Sequence, residues 1–205
     1  MILINNKPPA ISSEFWNQKY INNQDKWSLN QPTPIFKEWF KSLNNKNNIL
    51  IPGAGKGDDA FYLASKGHKV YAVDYSIEAI NFMKSKVKEK ESTLHILHKN
   101  IFELEEYYGK FDIFLEYTCF CAILPDERET YIKESSKLLK KGGFFVGILF
   151  PINKSESDGG PPFGVNFKQT IKLFKKYYKI IEYNILPNSV QSRINQEIFI
   201  CLKNV

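Results

Sequence analysis

Histidine, cysteine and methionine are scarce in this chain: three, three and two among 205 residues. Their scarcity excludes a good deal. His68, His95 and His98 fall on expected strands without metal-ligand spacing. Cys119 and Cys121 lie two apart, where a strand would put both on one face, and no second pair exists to complete a zinc site. With Cys201 the count is odd and lacks a framework, which argues against structural disulfides. All six residues read as structural, and no metal is expected. No apolar run approaches the ~18 residues of a membrane-spanning helix. Residues Met1–Pro8 lack the basic leader and long apolar core of a signal peptide, so a cytoplasmic location is expected by default. The formal net charge is +6, yet the lysines are dispersed. Lys84, Lys86, Lys88 and Lys90 mix with Glu89 and Glu91 as on a solvated face, so no nucleic-acid or membrane partner is expected.

What is present is an ordinary globular composition, 43% hydrophobic, long enough for one α/β domain with a substantial core. No repeat or linker divides it. One domain over residues 1–205 suffices, with 1–48 as a helical cap segment.

The organising stretch is Ile49–Asp74. An apolar run, Ile49–Ile51, reads as a buried strand and leads into Pro52-Gly53-Ala54-Gly55-Lys56-Gly57-Asp58. A helix should start near Asp58 and stop at Gly67. A second strand, Val70–Asp74, ends in an acid. Strand, glycine loop, helix, strand and acid make a nucleotide-binding βαβ unit. Without Cβ atoms the loop lets backbone N–H groups approach a ligand, and the Asp74 carboxylate can accept both hydroxyls of a ribose. The dinucleotide pattern G-x-G-x-x-G would need glycine at Asp58, and a phosphate-loop G-x-x-x-x-G-K-[ST] is missing. A ligand with ribose but no pyrophosphate fits better, and S-adenosylmethionine is such a ligand.

Upstream, Met1–Ala10 reads as a loose arm. Ser12 or Ser13 can cap a short helix carrying Phe15, Trp16 and Tyr20, with Trp16 and Tyr20 on one face. Thr33 and Pro34 open a second helix, whose apolar face is Ile35, Phe36, Trp39, Phe40 and Leu43. All three tryptophans precede the glycine loop. Trp39 reads as packing; Trp16, Tyr20 and Trp27 offer aromatic faces that attract a sulfonium cation.

Downstream, Ser76 caps a helix, and Thr93–His98 is a third strand. Asn100 at its end could read an adenine edge or form a turn. Phe111–Leu115 is a fourth strand running into Glu116 and Tyr117, at the C-terminal strand ends where open α/β sheets bind ligands. A helix over Pro125–Leu139, ended by Lys140-Lys141-Gly142-Gly143, precedes a fifth strand, Phe144–Phe150. A long loop, Pro151–Asn166, a helix, Phe167–Phe174, and two strands, Tyr178–Leu186 and Gln196–Leu202, follow.

Four motifs in order resemble the thiopurine S-methyltransferase family of class I S-adenosylmethionine-dependent methyltransferases, above all its thiol and halide branch. They are Trp27-Ser28-Leu29-Asn30-Gln31-Pro32-Thr33-Pro34; Ile51–Gly57; Glu116–Ile123; and Phe150-Pro151 followed by Gly159–Phe163. Tyr20, Asn100 and Glu116 stand where relatives usually have Trp, Asp and Asp. The resemblance implies a Rossmann-like doubly wound α/β sheet, mostly parallel with an antiparallel last strand, and S-adenosylmethionine as cofactor. It implies cofactor contacts from Trp16, Tyr20, Trp27, Gly53, Gly55, Asp74, Asn100, Ile101 and Tyr117, and catalysis by a monomer on a small thiol or, second, a halide ion. Tyr117 and Glu116 are the catalytic candidates. Glu116 could hold a substrate amine, take a proton or anchor its loop. The acceptor pocket is expected between Tyr117, Phe120 and Gly159–Gly164. The nucleic-acid rival fits less well, since Asp/Asn-Pro-Pro-Tyr/Phe after the fourth strand is replaced by Glu116-Tyr117-Thr118-Cys119.

Overall fold

Seven strands form one sheet in the order β3-β2-β1-β4-β5-β7-β6. They are β1 (Asn48–Pro52), β2 (Lys69–Asp74), β3 (Leu94–His98), β4 (Phe111–Tyr117), β5 (Leu139–Leu149), β6 (Tyr178–Ile185) and β7 (Ile198–Asn204). The computed structural model from which they come describes residues 12–87, 93–186 and 189–205. The expected arm, Met1–Ala10, and the charges of Lys88, Glu89, Lys90 and Glu91 lie outside the described residues. Strands β1 to β5 pair in parallel, and β7 runs antiparallel to both β5 and β6. This is the mostly parallel, doubly wound sheet expected, with its antiparallel last strand.

Alternation along the strands makes two cores. Leu50, Phe114 and Phe145 face one, while Ile49, Ile51, Ile113, Leu115 and Val146 face the other. Helices α1 (Ser13–Ile21), α2 (Pro34–Lys41), α3 (Asp58–Ser65), α4 (Ile77–Lys86), α5 (Arg128–Leu138) and α6 (Phe167–Phe174) pack around this sheet. Ser12 caps α1 by accepting the Phe15 N–H, and Ser76 caps α4 by accepting that of Ala79. Pro34 opens α2, but the Thr33 hydroxyl caps nothing. It donates instead to Asp59 at 2.8 Å, and the Thr33 N–H does so at 2.7 Å, which ties the cap segment to the first turn of α3.

Three local expectations change. Strand β5 starts at Leu139, so Lys140–Gly143 lie within it rather than ending a helix. Gly142, at φ +78°, takes up a register slip opposite Asp112, so the strand continues where a stop was expected. Cys119 and Cys121 sit in a one-turn helix region beyond β4, not on a strand. His68 precedes β2; His95 and His98 are on β3.

The strand order reverses between β1 and β4, and ligands of such sheets bind at that switch, beyond the carboxyl ends of the strands. Pro52, Asp74 and Tyr117 end β1, β2 and β4 there.

Candidate active site

The chain leaves β1 through three glycines at positive φ, of which Gly53 and Gly55 matter most here. A Cβ on Gly53 would lie 3.1 Å from the Cβ and Sγ of Cys119, and one on Gly55 3.1 Å from the Tyr20 hydroxyl. The loop is therefore held against the turn after β4 on one side and the cap on the other. Asp74 fixes it from β2. One carboxylate oxygen accepts the Gly55 N–H and the other the Ser76 N–H, both at 2.8 Å. The Tyr75 N–H also points at this carboxylate, which keeps part of its acceptor capacity, and Asp74 lines the cavity described next. Burial pushes its carboxyl above the usual range, against the pull of those N–H donors.

A cavity of about 360 Å³ opens over the strand ends. Trp16, Tyr20, Trp27, Gly53, Asp74, Asn100 and Ile101 all line it. Trp27 meets Trp16 and Tyr20 edge to face, with ring centroids 5.5 and 5.6 Å apart, and its indole N–H donates to the Tyr20 hydroxyl at 3.3 Å. Asn100 makes the turn: its Oδ1 accepts the Phe102 N–H at 3.1 Å. A smaller cavity of about 60 Å³ shares Trp27, Gly53 and Thr118 and is bordered by Gly55 and Tyr117.

The two catalytic candidates sit differently from the rest. The Tyr117 hydroxyl donates to Glu197 Oε1 at 2.8 Å, towards β7, and its ring faces the smaller cavity. Glu116 is fully buried and lines neither cavity. Its carboxyl accepts the Phe120 N–H at 2.7 Å and the Tyr131 hydroxyl. Burial pushes it up to about 7, against these donors and the Cys119 N–H. No substrate amine can reach it without displacing the floor of the site. Phe120, expected on the pocket wall, is core; Cys121, Ala122, Ile123, Phe150, Pro161 and Pro162 form that wall instead.

Arg193, on the loop before β7, was not among the expected site residues. It is 5% exposed and lines the large cavity. Its Nη2 donates to the Trp27 carbonyl at 2.9 Å, and its guanidinium lies 5.0 Å from the ring centroids of both Tyr117 and Phe150. Glu197 Oε1 is 3.7 Å from Nη1, and Nη1 has no hydrogen-bond partner among the described residues. A signal existed: the chain holds only two arginines among its 28 basic residues. The other, Arg128, is 2% exposed and grips the long loop through the carbonyls of Phe163 and Gly164 and the carboxylate of Glu156. Both guanidinium forks sit where several acceptors converge.

Further ties close the cap. Lys56 pairs with Asp25 at 2.6 Å. Burial works against the charge of Asp25, but Lys56 and Ser28 outweigh it and hold the carboxyl below its ordinary value. Among the described residues no three His, Cys, Asp or Glu side chains gather as a metal site, and no helix is long and apolar enough to cross a membrane.

A family profile described as "Thiopurine S-methyltransferase (TPMT)" matches residues 11–197. A "Probable thiol methyltransferase 2" of Arabidopsis thaliana is 32% identical over 168 residues, covering 79% of this chain and 72% of that one. A "Thiocyanate methyltransferase 1" of Brassica oleracea is 27% identical over 164 residues, 77% and 70% of the two chains. In fold, the chain is similar to a Burkholderia thailandensis 1,6-didemethyltoxoflavin-N1-methyltransferase solved with S-adenosylhomocysteine: TM-score 0.73 over 94% of this chain and 87% of that one, at 18% identity.

Proposed function

The chain belongs to the thiopurine S-methyltransferase family of S-adenosylmethionine-dependent methyltransferases, and from that premise we propose that it methylates the sulfur of a small thiol. The observation that carries this reading is Arg193, a buried cation at the cavity wall whose Nη1 faces Glu197 only at ion-pair distance, 3.7 Å, without a hydrogen bond. A thiol attacks as its thiolate, and a nearby cation both attracts the anion and favours its formation.

Size supports a small acceptor. The cavity, about 360 Å³, lies near the low end of the ~300–1,000 Å³ usual for ligand pockets. A nucleoside cofactor would fill most of it. The remaining wall, Cys121, Ala122, Ile123, Phe150, Pro161 and Pro162, is apolar and suits a soft, weakly hydrated nucleophile.

The residues fit the cofactor on their own evidence. Asp74 offers its remaining acceptor capacity to ribose hydroxyls, Asn100 has amide N–H groups for an adenine edge, and the faces of Trp16, Tyr20 and Trp27 suit a cation. When bound, S-adenosylmethionine supplies a methyl group on a sulfonium that is already an activated leaving group. The protein then has to align the nucleophile and exclude water. Arg193 would hold the thiolate, and the aromatic and proline walls would keep water out. No general base is needed for a thiol whose pKa is near ~8.5.

A halide ion is the second reading, favoured by the same Arg193 cation at the cavity wall, whose charge suits any small anion. The separating experiment incubates the protein with labelled cofactor and a panel of small thiols, iodide and RNA, and identifies products by mass spectrometry. Thioethers from thiols are expected. Turnover of iodide above every thiol, or of RNA alone, would overturn the proposal.

A further inference from the structure

Glu116 is a fully buried carboxyl beneath the cavity that the proposed chemistry leaves unused. Its surroundings are built for it. The facing residue on β5 is Gly147, where a Cβ would come within 2.9 Å of the Glu116 Cβ. Its acceptors are filled by the Phe120 N–H and the Tyr131 hydroxyl.

The bond to Phe120 closes a turn over residues 117–120 that holds Thr118 at φ +63°, a left-handed conformation that a β-branched residue rarely adopts. That turn points Thr118 and Cys119 at the cavity and seats Cys119 under Gly53. It is stiffened by the Cys121 thiol on the Thr118 carbonyl and by the Ala122 N–H on the Cys119 carbonyl. The effect spreads further, because the Cys121 carbonyl accepts the Phe163 N–H at 2.7 Å and so carries the loop with Pro161 and Pro162.

We propose that Glu116 is a positioning residue: from below the cavity its carboxyl group sets the 118–122 turn and, through Cys121, the Pro161–Pro162 wall, and thereby fixes the space an acceptor can enter. It exchanges no proton with the acceptor. This rests on the reading of that space as the acceptor site.

Glutamine at 116 keeps an oxygen for the Phe120 N–H and has no base to offer; alanine keeps neither. Glu116→Gln is expected to retain kcat/KM within about threefold, whereas Glu116→Ala should raise the acceptor KM ~10-fold, the effect of one unsatisfied buried group, with cofactor affinity changed less than threefold. A second readout needs no turnover: alkylation of Cys119 by iodoacetamide, followed by peptide mass mapping. It should run ~10-fold faster in Glu116→Ala than in Glu116→Gln, because both variants lose the Glu116 charge that opposes the Cys119 thiolate and only the alanine also loses the turn. If wild-type protein methylates no thiol, the acceptor reading fails, and the alkylation rates still judge the turn. Loss of turnover in Glu116→Gln with cofactor binding intact would overturn the proposal, as would a wild-type KM in Glu116→Ala with alkylation no faster than in Glu116→Gln. Should the alanine variant fail to fold, the glutamine variant alone decides.

Discussion

Asp74 and Gly55 are joined by a 2.8 Å hydrogen bond from main chain to carboxylate, so the acid at the end of β2 both shapes the glycine loop and faces the cavity. The two duties cannot be removed separately by truncation.

Asp74→Ala should weaken S-adenosylmethionine binding by ~1.5–3 kcal/mol, the range for hydrogen bonds to a charged group. Asp74→Asn should lose less, because its amide oxygen can still take one N–H. Isothermal calorimetry on both variants checks the order. Equal affinity for wild type and Asp74→Ala would remove the ribose contact.

Trp27→Ala should discriminate between ligands. The sulfonium loses an attraction of ~0.5–2 kcal/mol that a neutral thioether never had. Calorimetry with S-adenosylmethionine and S-adenosylhomocysteine reads the difference directly, and parallel losses would leave only packing.

Arg193→Gln should raise KM for a thiol ~10-fold, as expected for a lost charged hydrogen bond of about 1.5 kcal/mol. It should weaken cofactor binding less, through the Trp27 strap. Steady-state kinetics with the cofactor saturating separates the two effects.

The acceptor classes part with pH. For a thiol, kcat/KM should climb from about pH 6 towards its own pKa near ~8.5. A halide has no proton to lose and should give a profile set by the enzyme alone. Rates for both acceptors across that window are the measurement.

Glu116 also sets a stability profile. Burial raises its folded pKa from 4.5 to about 7, with Tyr131 from α5 and Cys119 and Phe120 from the turn as its donors. A raised folded pKa means that stability is fully present below pH 4.5 and is lost as pH rises through 7. Glu116→Gln abolishes this dependence and should gain on the order of 3 kcal/mol relative to wild type above pH 7. Urea titrations at pH 5 and pH 8 test the sign; an equal offset at both would refute it.

The sequence made the local parts of this site readable. Gly53, Gly55 and Asp74 speak through spacing, Ser12 and Ser76 through capping, and α6 falls on the bounds expected for it. Long-range choices left little trace. Lys140–Gly143 read as a helix stop, because nothing nearby in sequence says that Leu139 pairs with Phe111. Phe120 went to the core because Tyr131 and Phe174 pack on its ring. The Tyr117 hydroxyl turned away to Glu197, eighty residues on. Arg193 was visible only as a rare residue type, and its partners were not.

The contact between Arg193 and Trp27 spans 166 residues. During synthesis the cap therefore emerges long before the cation that holds its carbonyl and completes the cavity wall. Chains are made from the amino end at ~5–20 residues per second, so about ten to thirty seconds separate the two residues. A nascent chain passes that interval with its βαβ unit already made and its ligand site unfinished. Ser192 and Arg193 are thus the last residues of that wall to be synthesised.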